Sequence, residues 1–331
     1  MNSTVSEKSL PRRLARVFLA VFAHALIVPT LARAQSPTLL LQWGSGGSGN
    51  GEFHSAWGVT VDAAGDVFVA DMSNNRIQKF SSDGTYLSQW GSFGAGDGQF
   101  KNPIAVAVNP AGNVYVVDQG HHRVQEFAST GAYLLQWGGQ GSGVGKFLNP
   151  TGIAVDATGC VYVADTGNDL IQKFTSAGAF LQQWGSPGIA EGQFDGPYGI
   201  AAGAGGEIYV TDSNNGRVEK FTSSGTFLAS WKGGTSSRNG ALSGPTFVAV
   251  DASSSVYVVD NLNNRIQKFT SAGSTLAIWS PSNGGDPIGI GVDGNGNTFV
   301  SDPVGNSIQK FGSLPTPTKS TSWGRVKSLY R

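Results

Sequence analysis

Short apolar runs of about five residues, broken by Gly, Asp and Asn, recur along this chain. The clearest set lies between residues 149 and 185. Residues 152–156 (GIAVD) and 161–165 (VYVAD) read as near-continuous apolar strands, whereas 170–174 (LIQKF) and 179–184 (AFLQQW) alternate apolar with polar. Alternation with β-branched and aromatic enrichment, bounded by turn residues, predicts strands joined by hairpins. Gly65, Gly112, Gly159, Gly206 and Gly296 hold one position after the first strand. Gly84, Gly131, Gly178, Gly225 and Gly273 hold another after the third. A glycine at a fixed place supplies the positive φ that a tight hairpin demands.

The four-strand pattern repeats six times. Its closing tryptophans, Trp43, Trp90, Trp137, Trp184, Trp231 and Trp279, are spaced by 47, 47, 47, 47 and 48 residues. A period of that length signals a repeat architecture. Four short strands per unit predict an all-β fold, a six-bladed β-propeller of four-stranded antiparallel blades around a channel. One blade cannot bury both faces of its sheet, so stability has to come from the closed ring. The VYVAD run, the Asn168-Asp-Leu170 triplet, IQKF and the FLxxWG ending resemble the NHL repeat, over about residues 38–312. That resemblance speaks for the fold; folds host many functions.

There are six sets of the first three strands but a surplus of fourth strands, because residues 38–43 (TLLLQW) precede the first set. Pro315 stands where the last hairpin needs a ladder donor and a glycine. Residues 38–43 are therefore expected to pair with 307–311 and close the ring without a covalent bond. Residues 313–331 are then a linker and tail.

The first 34 residues do not share the repeat. Lys8, Arg12, Arg13 and Arg16 precede an apolar run from Val17 to Leu31, and Ala32-Arg33-Ala34 forms an A-x-A site. This reads as a secretory signal peptide cleaved near Ala34, which places the mature protein in the periplasm or outside the cell, with no membrane span. The leader carries five Lys or Arg and one Glu. From totals of 22 each, the mature chain keeps 17 basic and 21 acidic side chains, a net of −4. Such a balance offers no footprint for nucleic acid. Cys160 is the one cysteine, so no intrachain disulfide can form. A monomer is expected.

Residues repeated in every blade are read as structural. Asp71, Asp118, Asp165, Asp212, Asp260 and Asp302 end the second strands, and Arg76, Arg123, Arg217 and Arg265 begin four of the third strands. An Asp–Arg brace within the blade follows, absent where Leu170 and Ser307 replace the arginine.

Specific sites are sought where blades differ. The first residue after each Gly-rich link should ring the channel mouth: Trp57, Ile104, Thr151, Tyr198, Thr246 and Ile288. The next position is small except at Phe247. This rim, with His121 and His122 on a neighbouring link, is the candidate binding surface for a protein, peptide or glycan. The same aromatics could instead plug the channel. The resemblance implies enzymes as well: peptide-amidating lyases use histidine-bound zinc in the channel, and streptogramin lyases use a histidine and a divalent cation. Here His54, His121 and His122 are the mature chain's histidines, and a three-His zinc site has no support in their spacing. Some NHL propellers bind RNA through a basic top face; here Lys101, Lys146 and Arg238 mix with Glu52, Asp97, Glu191 and Asp195. Residues 141–147 (GSGVGKF) lack the Walker pattern and a following helix, and Asp293-Gly-Asn-Gly-Asn297 lacks the glutamate that ends a calcium loop. The reading is a non-enzymatic binding or scaffold module without a cofactor, its alternative a metal-dependent lyase or lactonase-type hydrolase at the channel mouth.

Overall fold

The computed structural model describes residues 36–233 and 240–312. The leader with its cleavage site, and the tail 313–331, lie outside them. Six four-stranded antiparallel sheets follow one another. Blades one to five cover residues 56–90, 103–138, 152–184, 197–231 and 245–279. The sixth sheet is built from 290–292, 298–302 and 307–312, and Thr38–Trp43 completes it as the outer strand. Thr38 pairs with Gly312, Gln42 with Gln309 and Trp43 with Ile308. The expected clasp is therefore present. Among the described residues, no helix is long and apolar enough to cross a membrane.

Within a blade the second strand is buried throughout, as in Val161–Asp165, while the outer strand alternates half-buried and exposed positions. That is the pattern expected of sheets covered on both faces at their centre and open at the rim. The closing tryptophans bridge neighbours. Trp43 lies 6.2 Å from Phe299 in its own blade and 5.9 Å from Phe80 in blade one. Trp90 repeats this with Phe68 and Phe127, at 6.3 and 5.9 Å. All six indole N–H groups are buried without an acceptor, so the wedge holds by packing. It also explains a turn glycine: Gly84 has φ +82°, and a Cβ there would come within 3.0 Å of the Trp43 ring.

Each second-strand aspartate is the hub of its blade's top face. Asp71 Oδ2 accepts from Arg76 Nε at 2.7 Å, Asn74 Nδ2 at 2.9 Å and Gln78 Nε2 at 3.1 Å, while its Oδ1 accepts from the His54 N–H. The Arg76 guanidinium goes on to the link, donating to the carbonyls of Ser48, Gly49 and Glu52. The sequence-derived brace is thus correct, and it does more than hold a hairpin. It fixes the Gly-rich link above the blade. Arg123, Arg217 and Arg265 reach their aspartates in the same way.

Side-chain hydrogen bonds also cross every blade boundary. The residue before most third strands is left-handed: Asn75, His122, Asp169 and Asn306 have φ of 47–54°. Each accepts the N–H of a residue in the next blade's link, namely Asn102, Asn149, Gly196 and Ser55. Hydroxyls serve the remaining two boundaries: Thr211 donates to the Thr246 carbonyl and Thr246 to that of Ile288. Ser301 adds a second bond between blades six and one, to the Trp57 carbonyl. Deleting residues 35–43 should lower the melting temperature markedly, since it removes a whole strand and the Trp43 wedge, and losing one large aromatic from a packed site alone costs ~3–5 kcal/mol. An unchanged thermal transition would show the clasp to be idle.

Candidate functional site

The six mouth residues converge, and they form a plug. Trp57 Nε1 donates across the ring to Tyr198 Oη at 3.0 Å, joining blades one and four. The Tyr198 ring meets Phe247 edge-on, with centroids 5.4 Å apart at 88°. Ile104, Phe247 and Ile288 are buried in one cluster against which Trp57 and Tyr198 pack. Thr151 and Thr246 are buried too. Their hydroxyls donate to the carbonyls of Tyr198 and Ile288, at 2.7 and 2.8 Å. Both hydroxyls therefore serve the ring. Burial pushes the Tyr198 phenol up to about 12, with the Trp57 donor opposing.

The small residue repeated beside the mouth in five blades has a direct cause. A Cβ on Gly289 would lie 2.2 Å from the Trp57 carbonyl, and one on Gly152 2.3 Å from that of Tyr198. Neighbouring backbones occupy that space at the glycines, and blade five alone carries a large side chain, Phe247, at this position.

Below the plug is a cavity of about 190 Å³ walled by the innermost strand of all six blades. Its lining is Gly, Ala, Val and Ile with Thr60 and Phe247, and contains no titratable side chain. Proton transfer needs a positioned acid or base; the lining provides neither.

The histidines stand away from the mouth. His122 takes the left-handed position and accepts the Asn149 N–H through Nδ1. His121 replaces the hub asparagine, placing Nδ1 3.0 Å from Asp118 Oδ2, in a separate cleft with Arg123 and Trp137. His54 is exposed and bonds to its own hub through the backbone. Among the described residues, no three His, Cys, Asp or Glu side chains form a group able to hold a metal ion.

What the repeat comparison missed lies on the links. Phe93, Val144 and Ile189 are 70%, 63% and 80% exposed, and Leu262 on the short link of blade five is 73% exposed. The visible signal was an apolar residue in an otherwise Gly/Ser/polar link. Apolar side chains gathered into one contiguous exposed patch mark interaction surfaces, whereas singly exposed ones are ordinary.

One hub departs from its sisters. Glu219 in blade four takes the place of Gln78, Gln125, Gln172, Gln267 and Gln309. Gln78 receives the Gly51 N–H and donates to Asp71 and the Glu52 carbonyl. Glu219 Oε1 receives the Gly192 N–H, but its buried Oε2 has no partner. Burial raises its carboxyl to about 7; Arg217 opposes, while Asp212 and Glu191 add to the rise.

A complete ring of six blades with a capped central cavity defines the class, a six-bladed β-propeller. Blades one to four match the family model of the NHL repeat at residues 53–80, 100–127, 147–174 and 194–221, and the chain is an NHL-repeat propeller. Each match opens on a phenylalanine seated against a link glycine, as Phe53 is against Gly44. Leu242 and Gly285 stand at the corresponding positions of blades five and six, which lie outside the matched segments. One stretch of 47 residues, 14% of this chain, is 51% identical to protein lin-41 of Caenorhabditis elegans. A stretch of the same length is 49% identical to the E3 ubiquitin-protein ligase TRIM71 of Rattus norvegicus. These matches span 4% and 6% of the relatives' own length. Virginiamycin B lyase from Staphylococcus aureus superposes with a TM-score of 0.60 at 13% identity, over 84% of this chain and 100% of that one. A Bacteroides thetaiotaomicron protein of unknown function gives 0.61 at 21%, over 84% and 76%. These structural likenesses show the fold.

Two outcomes follow. Tyr198→Phe should leave the Trp57 N–H unpaired and cost about 1–3 kcal/mol in denaturant unfolding. For Glu219 the folded state holds its proton more tightly than the unfolded chain, whose carboxyl stays near 4.5. Stability should therefore fall as pH rises from about 4.5 through 7 and then level off. Glu219→Gln should remove this slope and stabilise the protein by roughly 1–3 kcal/mol at pH 8; parallel urea titrations at pH 5 and 8 read it.

Proposed function

We propose that this protein is an exported, monomeric NHL-repeat propeller that binds a protein or peptide partner on its top face and carries out no reaction of its own. The observation that carries the reading is the character of that face. Its mouth is closed by Trp57, Tyr198 and Phe247, and the links around it leave Phe93, Val144 and Ile189 in solvent. Aromatic and aliphatic anchors on a rigid scaffold are what a partner surface uses, and hub or boundary bonds hold the described links. The cavity beneath lacks acids and bases, which favours binding over catalysis. Mixed charge on the links, Lys101 and Lys146 beside Glu52, Asp97, Glu191 and Asp195, favours a protein partner over nucleic acid. A leader with an A-x-A site supports export.

A crosslinking pull-down from the exporting cell's own envelope and medium tests the reading. Wild type should capture a defined partner. Phe93→Ser/Ile189→Ser should lose it, and Trp57→Ala/Tyr198→Ala should weaken it, with circular dichroism verifying that each variant folds. Equal recovery from all three proteins would remove the top face as the site. Competition by RNA, or a stoichiometric divalent metal in the purified protein, would turn the reading toward nucleic acid or a lyase.

A further inference from the structure

Blade three keeps every acceptor of the arginine brace and has lost the arginine. In blade one the Arg76 guanidinium donates to five oxygens: Asp71 Oδ2, the Ser48, Gly49 and Glu52 carbonyls, and Gln89 Oε1. Arg123 repeats all five in blade two, with Asp118, Ala95, Gly96, Gln99 and Gln136. Arg217 repeats four in blade four. The corresponding oxygens of blade three belong to Asp165, Ser142, Gly143, Lys146 and Gln183, and Leu170 stands where the arginine would.

The oxygens have kept their places. Gly141 and Gly145 have φ of 155° and 71°, against 151° and 71° for Gly94 and Gly98 in blade two. The Gln140–Phe147 bridge matches Phe93–Phe100. Asp165 is fully buried and still accepts from Asn168, Gln172 and the Leu148 N–H. It has lost the charged donor, and burial raises its carboxyl. Leucine ends at the carbon level of arginine's Cδ, so the volume of the Nε–Cζ–Nη fork is left without a side chain of this position. Lys146 directs its ammonium elsewhere, to the Gly138 carbonyl at 2.8 Å. Leu170 and Gln183 both reach the surface, which gives an entry from outside.

The geometry points to a preformed receptor for a guanidinium group in blade three, filled by an arginine side chain of the bound partner. A planar fork with five donors satisfies this arrangement, whereas an ammonium offers three donors from one point. Burying the fork against Asp165 pairs a carboxylate that otherwise has only neutral donors. The assignment rests on the partner-binding reading only for what supplies the arginine; the cradle itself can be tested with a small molecule.

The probe is N-acetyl-arginine amide, titrated into purified full-length protein while thermal unfolding is followed. Wild type should show a saturable rise in melting temperature. Leu170→Arg, which refills the cradle from within, should be more stable than wild type and should not respond to the probe. An equal response in both proteins would overturn the proposal. So would an equal response of wild type to N-acetyl-lysine amide, or a rise with calcium chloride and none with the arginine amide. Because no partner is present, failure here leaves the pull-down result standing, and the reverse holds as well.

Discussion

The structure depends on each blade being completed by the next. A blade's second strand is buried because neighbouring sheets cover it, as Tyr162 and Ala164 cluster with Ile200 and Val210 of the next blade, and its outer tryptophan packs on a phenylalanine of the following sheet. Its left-handed turn residue or its inner hydroxyl is satisfied across the same boundary. With a single cysteine there is no covalent substitute for these contacts. A sheet at an open end of such a stack would expose a flat apolar face, and closure removes both ends together.

The buried aspartates convert this closure into a defined upper surface. Each places a carboxyl group inside the blade where several donors meet it, four of them at Asp71 and three at Asp165. Unpaired, a charge there would be costly. Through Arg76 and its counterparts, loops dense in glycine, and intrinsically free to move, are held at their carbonyls. In the four blades that carry the arginine, the link is thereby tied to the sheet below it. The same economy makes departures informative: Glu219 and Leu170 each alter one donor in a set repeated in most blades.

Much of the fold was legible because the repeat is explicit. Trp43 to Trp279 set the period, the surplus strand 38–43 announced the clasp, and Asp71 with Arg76 announced the brace. The mouth residues were read as a binding rim, with a channel plug as the alternative, and five of the seven are buried. Sequence spacing shows which positions share a ring; it does not show whether six side chains meet across it, and the Trp57–Tyr198 bond spans 141 residues. The role of His122 was hidden for a related reason. As a histidine it suggests chemistry, yet its place demands a left-handed residue with an acceptor, a task asparagine performs in sister blades. The exposed link residues Phe93 and Ile189 were passed over because the links were read as glycine-rich connections.

The strand that shuts the ring carries a consequence for how the molecule is made. Thr38 and its partner Gly312 are 274 residues apart, nearly the whole described chain. Synthesis delivers Thr38 long before Gly312, so five sheets are complete before the sixth can acquire its outer edge. Contacts of such long sequence separation slow folding. Until residues 307–312 have been made, every nascent form of this protein is an unclosed arc.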